Sequence, residues 1–106
     1  MAQEYQVTCL SSVVEQISDL TTAERRQVIS QLRKLERAPQ LGEPLGSREY
    51  NLANCRRLVA GRLRVVFEVD EQQRQVTVLA VAAREGKRVY EVAEAELGRR
   101  RLRRIS

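Results

Sequence analysis

Apolar residues alternate with polar ones at the start of the chain, Tyr5, Val7 and Cys9 against Gln6 and Thr8, and a period of two predicts a strand. The period then changes. Ser12 and Glu15 have the spacing of a capping box, and Val13, Val14 and Ile17 give a short helix its apolar stripe. Thr21 and Glu24 repeat that spacing before a longer helix. There Val28, Ile29, Leu32 and Leu35 fall on one face, Arg25, Arg26, Arg33 and Glu36 lie outside it, and Pro39 ends it. Two helices joined by so few residues predict a helical hairpin. Residues 39–54 hold Pro39, Gly42, Pro44, Gly46 and Asn51, the composition of a connecting loop.

Strands follow. Residues 55–59 and 62–69 predict a β-hairpin with a tight turn near Ala60-Gly61. Leu63, Val65, Phe67 and Val69 face the core, while Arg62, Arg64, Val66 and Glu68 form a charged face. A two-residue turn at Ala60-Gly61 sets Arg57 opposite Arg64, and a slip of one residue parts them. Like charges so placed repel by some tenths of a kcal/mol (about 0.2–1). No carboxylate on that stretch of the face is seen to relieve them, so an outside anion between the two is one reason to keep both. Two solvated side chains are the other. Asp70 to Gln73 reads as a polar turn. Gln75 to Ala83 is apolar on both faces, Val76, Val78 and Ala80 on one and Thr77, Leu79 and Val81 on the other, which predicts an interior strand. Arg84 to Arg88 leaves the sheet, Tyr90 to Leu97 reads as a helix, and Gly98 punctuates a basic tail over 99–106. The expected fold is α+β and a single domain over 1–106, with an N-terminal strand and helical hairpin packed on an antiparallel sheet in the order β-α-α-β-β-β-α.

Composition narrows the chemistry. A chain of 106 residues, 42% hydrophobic, holds one core, and no apolar run is long enough to span a bilayer. Residues Met1 to Tyr5 lack the basic and apolar pattern of a secretory signal, and Cys9 and Cys55 read as buried free thiols, so a cytoplasmic setting is expected. The net charge of +5 is lopsided: residues 1–53 are close to neutral, and residues 54–106 carry the excess. Lys34 and Lys87 are the lysines; every other cation is arginine, whose planar fork suits phosphate. On charge alone, a basic but merely soluble protein and a polyanion binder fit equally. The chain has no histidine, which excludes histidine-based ribonucleases, Ser-His-Asp triads and histidine metal sites. Glu68, Asp70 and Glu71 sit at a strand end and turn, where solvation explains them, so neither a metal nor a cofactor is expected.

The run from Asn54-Cys55-Arg56-Arg57 through Gly61-Arg62-Leu63-Arg64 to Val69-Asp70 resembles the signature hairpin of the RelE/ParE toxin superfamily. So do Val78 to Arg84 followed by Val89-Tyr90, the helix Leu32 to Leu35 ending at Pro39, and the loop Gly42-Glu43-Pro44-Leu45. The order and spacing of these segments from Tyr5 to about Ala93 carry the resemblance, which is closer to the RelE-type mRNA interferases. It implies an active face built from Arg57, Arg64, Arg84 and Tyr90, with Arg56, Arg62, Lys87 and Arg88 as flanking RNA contacts. Cys55 departs from the pattern, because some relatives carry a further basic residue there.

The resemblance further implies a type II toxin that cuts messenger RNA in the ribosomal A site without metal, by attack of the ribose 2′-hydroxyl on phosphorus. Arginines would stabilise the phosphate charge, and Tyr90 would transfer a proton or stack on a base. The implied partners are a cognate antitoxin, the ribosome and mRNA, with no membrane. Two other readings stay open. One is a ParE-type toxin that inhibits DNA gyrase; the other is a non-catalytic RNA-binding relative.

Overall fold

The computed structural model describes residues 4–45, 52, 54–83 and 88–105, with backbone only for Arg88 and 101–105. The order is β1 (Gln6–Cys9), α1 (Ser11–Ser18), α2 (Thr22–Leu35), a 3-10 turn (Pro39–Leu41), β2 (Glu43–Pro44), β3 (Cys55–Ala60), β4 (Leu63–Asp70), β5 (Gln75–Ala83) and α3 (Arg88–Ile105). The α+β expectation and its element order hold, and β2 adds a short edge strand within the expected loop. The strands form one sheet in the order β1-β5-β4-β3-β2. Its β2-β3-β4-β5 run is antiparallel, and β1 joins β5 in parallel, Gln6 beside Gln75 and Cys9 beside Val78.

Helices cover both faces. Against one face, α1 and α2 bury Val13, Val28 and Leu35 on Leu63, Val65, Phe67, Val76, Val78 and Val81. On the other, α3 lays Val89, Ala93 and Leu97 on Cys55, Val66, Leu79 and Ala80. The stripe at i, i+4 and i+8 is what a helix needs to seat on a sheet. Val66 is fully buried, so the face expected to be charged is a second core over most of its area. No helix among the described residues is long and apolar enough to cross a membrane. Cys9 and Cys55 are not joined in a disulfide; Cys55 is buried as expected, Cys9 is only half-buried, and burial pushes the Cys9 thiol up from its ordinary value.

Several local expectations change. The Thr21 capping box is present, with Thr21 Oγ1 accepting from the Glu24 N–H and the Glu24 carboxylate accepting from the Thr21 N–H. Ser12 does not cap α1. The Leu10 N–H continues the strand ladder to the Val78 carbonyl, so the helix starts at once with Leu10 as its cap and Ser12 falls inside the first turn, its hydroxyl buried without a partner. The even alternation of β5 also breaks. Val66 pairs with Ala80 but Phe67 pairs with Val78, so Leu79 is an extra residue. Such a bulge shifts the phase by one, moving Ala80 to the α3 side and Val81 to the α1/α2 side. Beyond the end of β1, the Val81 N–H is met by Gln16 Oε1 at 2.8 Å. Finally, Gly98 does not stop the last helix. Nothing lies within 4 Å of where its Cβ would stand, so α3 runs on through the residues expected as a tail.

Candidate active site

The β3–β4 turn sets the register of the site. Gly61 has a φ of +63°, and a two-residue loop whose first central residue has positive φ favours glycine there. The loop is therefore Gly61-Arg62, not Ala60-Gly61. Ala60 pairs with Leu63, Val59 with Arg64, and Arg57 with Val66. Arg57 and Arg64 do not stand opposite each other. They share the α3 face as diagonal neighbours, a spacing of roughly 7–8 Å. The repulsion inferred from direct opposition is relaxed by this geometry.

It is relaxed further by a carboxylate that sequence reading passed over. Glu43 on β2 pairs with Arg57 in the ladder, and its Oε2 accepts from Arg57 Nε at 3.1 Å and Nη2 at 2.9 Å. At the other end of the same guanidinium, Arg57 Nη1 donates to the Tyr90 hydroxyl at 2.7 Å. Bonding to Tyr90 first, and to Glu43 second, raises the Arg57 pKa above the ordinary guanidinium value. Its side chain is 32% exposed and that of Glu43 64%, so the cluster opens to solvent. Carboxylate, guanidinium and phenol thus lie in a row at the rim of α3. The only signal of Glu43 in the sequence was its place in Gly42-Glu43-Pro44. Fourteen residues separate it from Arg57, and nothing in a loop's composition says which strand it will join.

β2 is held in place by the opposite side of β3. Arg56 points to the α2 face, where its Nη1 donates to the carbonyls of Gly42 at 2.7 Å and Gln40 at 3.4 Å. Gly42 lies so close to the Phe67 ring that a Cβ would stand 2.5 Å from Cζ. Pro44 suits an edge strand, since it lacks the N–H a neighbour would need.

The other residues of the expected site are dispersed. Arg64 lies on the right face, and its Nη1 donates to the carbonyls of Leu63 at 3.0 Å and Gly61 at 3.3 Å, folding it toward the turn. Arg62 reaches the α2 side, where its Nε donates to Glu24 Oε2 at 2.6 Å. Arg56 is on the far face, as strand alternation requires. Arg84 and Lys87 lie outside the described residues, and Arg88 opens α3 with its side chain outside them. The structure therefore gathers Arg57, Tyr90 and Glu43, with Arg64 adjacent, and sends Arg56 and Arg62 elsewhere.

Comparison with known proteins agrees with this architecture. The fold is similar to that of the free E. coli toxin RelE carrying two arginine-to-alanine substitutions, with a TM-score of 0.70, 20% identity, and coverage of 85% of this chain and 94% of that one. It is also similar to a chain of the toxin-antitoxin complex RelBE2 from Mycobacterium tuberculosis (0.67, 23% identity, 76% and 99% covered). A chain of the archaeal RelE-RelB complex from Pyrococcus horikoshii is a third (0.63, 21% identity, 81% and 99% covered). At these identities the likeness is one of fold. No curated protein sequence matches the chain. Residues 14–88, however, match the family model for the ParE toxin of type II toxin-antitoxin systems. That match spans most of the chain, so the protein belongs to the ParE toxin family, within the RelE/ParE superfamily of type II toxins.

Proposed function

We propose that this toxin is a metal-independent endoribonuclease that cleaves mRNA in the ribosomal A site. The observation that supports the reading best is the row Glu43–Arg57–Tyr90, in which one guanidinium holds a carboxylate at one end and a phenol at the other. Phosphodiester cleavage by a neighbouring 2′-hydroxyl needs a base on the attacking oxygen, an acid on the leaving oxygen, and positive charge between them. The chain has no histidine for either role. Glu43 accepts the proton of the 2′-hydroxyl as the new O–P bond forms, and Tyr90 protonates the 5′-oxygen as the P–O5′ bond breaks. Arg57, with Arg64 beside it, carries the charge that grows on the phosphate oxygens. The products are a 2′,3′-cyclic phosphate and a free 5′-hydroxyl. An open cluster of three side chains binds little of an RNA by itself, so the ribosome supplies the in-line geometry. The similar structures from Mycobacterium tuberculosis and Pyrococcus horikoshii are toxin-antitoxin complexes, and a cognate antitoxin is the expected partner here.

Induction of the chain without a partner, followed by mapping of transcript ends, tests the reading. Cuts at codon-positioned sites are expected, with Glu43→Gln slower by about 100-fold and Tyr90→Phe and Arg64→Ala by similar factors. Uncut transcripts during growth arrest would exclude it. A second reading is inhibition of DNA gyrase, favoured by the ParE family match over residues 14–88. Trapped gyrase–DNA complexes that form equally with Glu43→Gln would establish that alternative.

A further inference from the structure

On the α3 face of the sheet, the apolar side chains Cys55, Val66, Leu79 and Ala80 are at most 1% exposed. Val59, by contrast, is 51% exposed. It stands directly opposite Arg64 in the β3–β4 ladder and two residues along β3 from Arg57, on the same face. An exposed aliphatic side chain thus stands beside two arginines on one face of the hairpin.

We infer that Val59 is a specificity-determining contact, on which the base next to the scissile phosphate rests; the inference depends on the proposed RNA cleavage. The chemistry fits because a nucleotide is amphipathic in the same pattern. Its phosphates are anionic and its base and ribose ring present apolar faces, so an aliphatic side chain beside two arginines on one face of the β3–β4 hairpin suits a nucleoside flanked by phosphates. The arginines contact every phosphate alike and carry no sequence information. A side chain that touches the base edge or face does carry it. The contact is made by exposed methyl groups and is worth only a small factor for any one nucleotide.

Val59→Thr keeps the branched shape and strand preference while adding a hydroxyl, and Val59→Lys keeps the strand while adding charge. The position faces solvent, and unchanged melting temperatures confirm that each variant folds. Cleavage of programmed ribosome complexes carrying a panel of A-site codons is then measured for each chain. The expected result is a loss of about three- to tenfold for preferred codons with both variants, in KM rather than kcat, and a flatter ranking among codons. If electrostatics alone governs the surface, Val59→Lys cuts faster on all codons and Val59→Thr is unchanged, and the inference is overturned while RNA cleavage stands. If the unaltered chain leaves the complexes intact, the functional reading falls and takes this one with it.

Discussion

At the scale of single residues, charged groups in this protein take local partners before any ligand arrives, and two of these pairings have pH consequences. The hydrogen bond from Arg62, reinforced by the Thr21 N–H, holds the Glu24 carboxyl below the ordinary carboxylate range. A carboxyl with a depressed folded pKa contributes stability that is fully present above its unfolded value and is lost as pH falls through the folded one. Arg62→Gln should therefore lower the melting temperature near neutrality and converge with the parent chain below about pH 4.5, which flattens the acid limb of the profile. Melting curves recorded from acid to neutral pH check this. Tyr5 shows the opposite sign. Its hydroxyl donates to Glu71 and accepts from Arg74 Nη1 at 3.1 Å, and chiefly the Glu71 bond raises its pKa. A raised phenol contributes stability below its unfolded pKa, which disappears as the medium becomes strongly alkaline.

At the scale of elements, the two-residue β2 carries the proposed base, Glu43, and it depends on contacts made behind the sheet. Gly42 has φ −69°, so alanine there meets no backbone strain, only the Phe67 ring and the Arg56 Cβ. Gly42→Ala should cost about 1–3 kcal/mol by overpacking. Gly98→Ala, inside α3 with open space around it, should gain up to about 1 kcal/mol from helix propensity. Urea denaturation of the two variants gives shifts of opposite sign if these packing arguments hold. Arg56 acts through β2, so Arg56→Ala should slow cleavage by an amount that vanishes in a Glu43→Gln background; a double-mutant cycle on cleavage rate measures it. Sequence periodicity revealed β1, α2 and the hairpin strands because each buries one face in a regular rhythm. It could not reveal the bulge at Leu79, since an unbroken apolar run reads the same in either phase, nor the register, which hangs on one glycine's positive φ. Arg57 and Tyr90 were legible as site residues through family resemblance. Glu43 was not, because its role arises from an edge pairing that no local pattern encodes.

At the scale of the whole molecule, the sheet carries two cores of different kinds. One lies under a pair of helices. The other lies under α3, with Leu52 packed into it, and the same helix brings Tyr90 to Arg57. Loosening α3 should therefore expose the second core and dismantle the site in one event. Leu97→Ala, at a position 1% exposed, should cost about 2–5 kcal/mol and speed the reaction of Cys55 with a thiol reagent, because Cys55 lies directly beneath that helix. Thiol-modification kinetics in native buffer test it; a rate no faster than that of the parent chain would show that α3 is seated by other contacts.

The site also has an order of assembly written into its connectivity. Glu43, Arg57 and Arg64 belong to strands that emerge from the ribosome early, whereas the phenol rides on a helix that follows all of them in the chain. The apolar face beside the arginines stays uncovered until that helix has been made and seated, so the proposed donor and the seal of the second core arrive together.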